Sequence, residues 1–328
     1  LNSHLLEPAS RTAERRFSAI DIGTNTILLL IADIRENGTF QVLEDRAAIT
    51  RLGAGVDRTS LIGPDGEERS LVALRNYVQR CRDLEVDEMV VVGTSALRDA
   101  RNAGDFKTRL ARELGLALRV LSGEEEAMYA YLAVQKGLFL EGKKDVLVVD
   151  VGGGSTELIW GKREELHRWA SLDFGSVRFT ERYLPSDPVR EEECSRLTLT
   201  IDQELRRLLA DWVADRGFHV FRTMVGIAGT FTTLAAVEKG LSRYSHSDVH
   251  GSHLSRTEVE RQIRLFKGKT IAERREIPGL EPQRADVILA GALLIQRIMA
   301  FFSIEEVTVS DQGIRYGLLH ERLRTFHG

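Results

Sequence analysis

A chain of 328 residues, 29% charged and 43% hydrophobic, has the composition of a soluble globular protein, and its length suggests two domains because single cores stop growing near ~250–300 residues. The net charge of −4 argues against binding of a nucleic-acid duplex, and no apolar run approaches the ~18 residues of a membrane helix. Residues 1–16 are polar, without the apolar segment of a signal peptide or anchor, and read as a flexible extension. Cys81 and Cys194 lie far apart and form no metal-type spacing, which fits reduced thiols in the cytoplasm.

The first patterned stretch is FSAIDIGTNTILLLIADI, residues 17–34. It reads as a strand delivering Asp21 to its end, a turn through Gly23, Thr24, Asn25 and Thr26, and a returning strand. Residues 49–56 form a glycine-broken loop carrying Arg51. Residues 67–84 follow as an amphipathic helix with Leu71, Leu74, Val78 and Cys81 on its apolar face. A buried strand at 88–92 runs into the loop 93–106, which offers Thr94, Ser95, Arg98 and Arg101. Arginine's planar fork suits phosphate oxygens, and Arg98 is favoured because α/β clefts form at strand ends.

The next strand spans 116–121, and the helix 122–138 joins the two halves of the chain. Ser122 and Glu125 fit the S-x-x-E capping box, which assigns Glu125 a structural task. Glu124 and Glu126 also favour a helix N-terminus through its dipole but have no such local bond. Successive helical residues diverge by about 100°, so only one or two of the three acids face a cleft.

Residues 145–161, DVLVVDVGGGSTELIWG, are the centre of the sequence. The run of Val and Leu is a fully buried strand. It ends on Asp150, turns through Gly152, Gly153, Gly154 and Ser155, and returns past Glu157. Glycine lets backbone N–H groups approach an anion. Carboxylates beside such a nest would repel phosphate unless a hard cation such as Mg²⁺ lay between. The alternative is a tight structural hairpin.

Further on, Gly175, Ser176 and Arg178 suggest another anion contact at a helix start. Residues 191–214 read as a long, charged, solvated helix. Residues 223–237 read as strand, glycine turn and helix, with Gly226 and Gly229 serving either phosphate or close packing. His246, His250 and His253 lack the spacing of a metal motif and read as a polar loop. Residues 279–299 read as a buried helix behind Arg284 and Asp286. The chain closes with a strand, a turn at 311–313 and a final helix from about Ile314, expected to return to the first lobe.

The two hairpins align without a gap at an offset of 129 residues: Asp21 on Asp150, Gly23 on Gly152, Thr26 on Ser155. This is a duplication at domain scale, not a solenoid. Two lobes presenting equivalent turns to one cleft would grip a phosphate chain from both sides. Glu157 aligns with Leu28, so the cleft is expected to be chemically asymmetric.

Motifs AIDIGTNT, RLGAGV, GTSALRDARN, LSGEEEA, VDVGGGSTEL, SLDFGSVRFTE, AGTFTTLA and VSDQGIRYGLL, in this order over residues 17–323, resemble the exopolyphosphatase/guanosine pentaphosphate phosphatase (Ppx/GppA) family. The resemblance implies an α/β fold of two duplicated ribonuclease H-like, actin-like lobes. The lobes are expected at 17–136 with 314–328, and at 137–313. It further implies removal of the terminal phosphate of inorganic polyphosphate, or of pppGpp, by water with Mg²⁺ (or Mn²⁺). By the same resemblance Glu126 is the general base, Arg98 a catalytic arginine, and Asp150 and Glu157 metal-side acids with Asp21 assisting. The glycine hairpins and Arg178 would hold the phosphate. The sequence is expected to lack the C-terminal helical domains of longer members. Three rivals stay open: a sugar or acetate kinase of the same superfamily, a chaperone-like ATPase, and a non-catalytic alarmone or phosphate-chain sensor. Substrate preference, chain length and oligomeric state, a homodimer included, are not fixed by sequence.

Overall fold

Each of the two aligned sequence copies folds as a hairpin that seeds its own sheet. The computed structural model describes residues 15–140, 145–162, 165–214, 221 and 223–326. Residues 1–14 of the expected extension lie outside them, as do residues 163 and 164.

The first sheet contains β1 (Arg15–Ile22), β2 (Thr26–Ile34), β3 (Phe40–Ile49), β4 (Glu88–Gly93) and β5 (Leu118–Val120), in the order β3-β2-β1-β4-β5. The second contains β6 (Asp145–Val151), β7 (Thr156–Lys162), β8 (Glu165–Leu172), β9 (Thr223–Ile227), β10 (His253–Ser255) and β11 (Glu306–Val309), in the order β10-β11-β9-β6-β7-β8. Both begin as an antiparallel meander and continue with parallel strands: β4 on β1, and β9 on β6. The register repeats as well. Asp21 lies opposite Leu28 and Asp150 opposite Glu157, and Gly23 N–H to Thr26 O matches Gly152 N–H to Ser155 O, both 3.0 Å.

Helices of eight residues or more are α1 (Pro64–Asp83), α2 (Ala103–Leu114), α3 (Gly123–Gly137), α4 (Ser176–Tyr183), α5 (Glu191–Leu208), α6 (Ala228–Glu238), α7 (Arg256–Lys267), α8 (Ile288–Phe301) and α9 (Ile314–Phe326). The Val-rich strand β6 is continuous in hydrophobicity because it is covered on both faces. Val146 and Val148 pack with Ala127, Ala130 and Val134 of α3, whereas Leu147, Val149 and Val151 join the core built with α5, α6 and α8. Helix α3 uses its remaining buried face, Tyr129 and Ala133, against α9, β1 and β2. It therefore touches both sheets.

Several elements differ from the sequence reading, among them short helices at Ser95–Asp99 and His246–Val249 in stretches read as loop. Residues 103–114, read partly as loop, form α2, whose only buried residues are Phe106 and Leu110 among charged neighbours. The expected helix over 279–299 begins at Ile288, after the left-handed Gly279 (φ 85°) and a 3₁₀ turn at Pro282–Arg284. The expected solvated helix over 191–214 ends at Leu208, and buries Cys194, Leu197, Ile201 and Leu205. Where β11 leads into α9, charged groups lock the chain. Arg315 makes a bidentate pair with Asp45 of β3 (2.8 and 2.9 Å), which also accepts from Tyr316 Oη. Asp311 contacts Tyr244 Oη at 3.1 Å, His246 Nδ1 at 2.5 Å and His250 Nδ1 at 3.3 Å.

The capping box at the start of α3 is complete: Ser122 Oγ accepts from Glu125 N–H, and the Glu125 carboxylate accepts from Ser122 N–H. Glu125→Ala should therefore cost roughly 0.5–2 kcal/mol in denaturant unfolding, while Glu125→Gln, which also serves at that place, costs clearly less. Equal losses would remove the capping role.

The bond to Asp311 raises the pKa of half-exposed His246 above its ordinary 6.5. A raised pKa gives stability that is full below the unfolded value and is lost as pH rises through the folded one. Wild type should thus exceed His246→Gln in stability most at pH about 5.5 and not at pH about 9. A pH-independent difference would contradict the contact.

Candidate active site

Both hairpin turns line one cleft of about 1170 Å³. Their direct approach explains the triple glycine: a Cβ on Gly154 would lie 2.8 Å from Thr24 Oγ1 and 2.7 Å from Ser95 Oγ. In the second turn, Ser176 N–H donates to Gly152 O (3.0 Å), Val177 and Arg178 N–H to Gly153 O (3.0 and 3.1 Å), and Arg178 Nε to Gly154 O (2.8 Å). A trans peptide sets each carbonyl opposite the next N–H. The amides of Gly153, Gly154 and Ser155 consequently point away from α4 and into the turn. The first turn obtains the same result from a different scaffold: Gly53 N–H donates to Thr24 O (2.8 Å), and Thr50 and Arg51 N–H to Asn25 O (3.0 Å each). Asn25 and Thr26 amides are thereby turned away from the 50–53 segment.

Between the turns stand the carboxylates of Asp21, Asp150 and Glu157. Burial raises the pKa of all three; Asp21 reaches about 7, and Asp150 is pushed further by Glu157 and Asp21. Hydrogen bonds from Ser155 and Ser171, the latter at 2.9 Å, partly relieve Glu157. Asp21 Oδ1 is buried without a hydrogen-bond partner, as are both polar atoms of the Asn25 amide. Crowded, desolvated, oxygen-only donors suit a hard divalent cation. Among the described residues no set of three His, Cys, Asp or Glu is arranged to hold a metal by itself. Substrate oxygens and water would have to complete such a shell, which is the habit of Mg²⁺.

Glu126 also lines the cleft, only 5% exposed, on the first turn of α3. Its Oε1 is paired with Arg98 Nη1, which also donates to Leu121 O at 3.0 Å. Arg98 thus backs Glu126 and is not among the residues lining the cleft. Arg178 is not there either. Its three donor nitrogens go to Gly154 O, Asp57 and Asp99, and the amides at the start of α4 are spent on hairpin carbonyls, so the expected anion contact is occupied by the protein itself.

Sequence reasoning gave Arg284 no role in the site. It lines the cleft, donates to Thr26 Oγ1 at 3.0 Å, and among the described residues has no carboxylate within ion-pair distance. A Cβ on Gly229 would fall 2.3 Å from its guanidinium, so that glycine makes room for the arginine. Gly226 instead packs against Phe231. Of the three histidines, His246 lines the cleft and His250 stacks on it at 5.3 Å, while His253 stands apart beside Glu306.

Residues 30–326 match the Ppx/GppA phosphatase family. Exopolyphosphatase 2 of Mycobacterium tuberculosis is 34% identical over 315 residues, which covers 92% of this chain and 97% of that protein. The crystal structure of the Ppx/GppA family member of Aquifex aeolicus is 35% identical with a TM-score of 0.79, over 96% of this chain and 99% of that one. An exopolyphosphatase-like protein of 30% identity superposes with a TM-score of 0.87 over 96% and 99%. With the duplicated sheets and the shared cleft, this extent of similarity means that the chain belongs to the Ppx/GppA phosphatase family and is a phosphatase of the two-lobed, actin-like fold.

Proposed function

We propose that the protein hydrolyses the terminal phosphoanhydride of inorganic polyphosphate and releases orthophosphate. The observation that carries this reading is the pair of opposed turns whose backbone amides are held away from their scaffolds at one cleft. The amides of Gly153, Gly154 and Ser155, with Asn25 and Thr26, bind the terminal phosphate alongside the Thr24 hydroxyl. Glu126 accepts the proton of the attacking water through the oxygen not bonded to Arg98, and Arg98 fixes the carboxylate's direction. Arg284 offsets charge on the transferring group. Asp150 and Glu157, with Asp21, would hold Mg²⁺ (or Mn²⁺), which supplies charge neutralisation to the phosphate oxygens. Most of the acceleration is then positioning and electrostatics. The relationship to an exopolyphosphatase at 34% identity favours polyphosphate. The two free, buried cysteines fit a reducing compartment, the cytoplasm.

A second substrate, pppGpp, is favoured by one observation. The cleft is also lined by Arg243 and Arg275 and by the apolar Leu241, Ile277, Pro278 and Leu280, a combination suited to a nucleoside. Phosphate release from long polyphosphate, tripolyphosphate, pppGpp and ATP, side by side with Mg²⁺, decides between them. Activity on ATP alone, with transfer to an organic acceptor, would overturn both.

Glu126→Gln should lower kcat by about 10²–10⁴ with the fold intact, as expected for loss of a general base. Retained turnover would move the base elsewhere. Glu157→Ala should weaken the apparent affinity for Mg²⁺ far more than Leu28→Ala, read by metal titration of activity and by calorimetric Mg²⁺ binding. Equal effects would make Glu157 structural.

A further inference from the structure

We infer that Arg178 is a positioning residue: it clasps the glycine turn of one lobe to the arginine-bearing helix of the other, so that phosphate site and base stay in register. The inference rests on the reading of the cleft as the phosphatase site. Its basis is where one guanidinium spends its bonds. Nε donates to Gly154 O at 2.8 Å, Nη1 to Asp57 Oδ1 at 2.8 Å and Nη2 to Asp99 Oδ2 at 2.5 Å, with the side chain only 11% exposed. Gly154 belongs to the β6–β7 turn. Asp57 belongs to the one-turn helix Val56–Thr59, and Asp99 ends the one-turn helix Ser95–Asp99, both tied to the first sheet.

Each bond has a consequence at the site. Holding the Gly154 carbonyl on the α4 side fixes the same peptide's other end, the Ser155 amide, away from α4. Holding Asp99 fixes the helix whose preceding residue, Arg98, orients Glu126. Asp57 is the common anchor and is bonded from a second side by Arg182. Burial pushes the Asp57 carboxyl up, but the Arg182 hydrogen bond and the two arginine charges outweigh it and keep it below its usual range. The clasp therefore persists as an ion network at neutral pH. Gly55 N–H adds a parallel tie to Glu181 Oε1 at 3.0 Å, one turn along α4. Gly175 permits the contact: a Cβ there would be 2.1 Å from Gly153 O, so no other residue allows α4 to approach the turn this closely.

A planar fork serving three segments cannot be replaced by a point charge. Arg178→Lys keeps the charge and should still lower kcat ten- to a hundredfold, the order expected of a reacting group misplaced by about 1 Å. KM should stay within about threefold, because Arg178 does not touch substrate. Amide hydrogen exchange, which needs no substrate, should accelerate about tenfold or more in residues 152–156 and 95–102, with β1 and β6 unchanged. Asp99→Asn, a milder change at a more exposed site, should accelerate 95–102 without unfolding the protein. Wild-type exchange and kcat in Arg178→Lys would overturn the clasp. A raised KM with kcat preserved would overturn it too, by making Arg178 a substrate contact. If wild type hydrolyses none of the offered phosphoanhydrides, the substrate reading falls and the exchange data alone judge the clasp.

Discussion

The site depends on where a few carbonyl groups find their donors. A turn that presents amides to an anion must face its carbonyls elsewhere, and a buried carbonyl needs a partner. In the second lobe that partner is the start of α4 together with the Arg178 side chain; in the first it is the strand end and loop 50–53. Two unrelated pieces of chain thus impose the same orientation on two related turns. A helix start offers unpaired N–H groups by construction. Here they serve the turn, so the proposed anion site, at the turn's own amides, lies one peptide further from α4 than the helix start alone would suggest.

The duplication also makes the difference between the lobes informative. Asp21 and Asp150 occupy equivalent places at the ends of β1 and β6, but the residue across the hairpin is Leu28 in one and Glu157 in the other. A leucine opposite Asp21 leaves that carboxylate short of partners and raises its pKa to about 7 by burial. A glutamate opposite Asp150 adds a second negative charge, which the hydroxyls of Ser155 and Ser171 only partly offset. The second hairpin therefore brings two carboxylates to the place of the proposed cation, while the first brings Asp21 alone, with turn hydroxyls and the Asn25 amide beside it.

Much of this arrangement was legible in the sequence because it is local. Hairpin register, turn residues and the Ser122–Glu125 cap are all set within about ten residues, and the gapless alignment exposed the duplication. Among three glutamates the same locality went only part of the way: a cap bond within three residues marks Glu125, while the choice of Glu126 over Glu124 came from the family resemblance, and Glu126 faces inward with 5% exposure. What escaped was set by distant partners. Arg178 follows a glycine at a helix start, a pattern that suggests an anion site, yet Asp57 and Asp99 lie some 120 and 80 residues earlier and claim its guanidinium. Arg284 had the opposite fate, in a turn that reads as the front of a helix but reaches Thr26 at the other end of the chain. Helix α2 was obscured because two buried side chains in twelve residues make a weak apolar stripe.

These long-range ties fall on both sides of the cleft. On one side Arg178, Arg182 and Glu181 reach Asp57, Asp99 and Gly55; on the other Asp286 and Gln283 hold Arg51, and Arg284 holds Thr26. All are polar, and all join residues of the second sheet's surroundings to loops that leave the first. Between them the contact is made by backbone and small side chains, Gly153 and Gly154 against Thr24, Asn25 and Ser95. Exposed pairs contribute little each, whereas a nearly buried arginine with three bonds is not easily replaced by solvent. The Arg51–Asp286 pair, at 37% and 25% exposure, is of the weaker kind, and Arg178, 11% exposed, is the tie that holds the two turns in register.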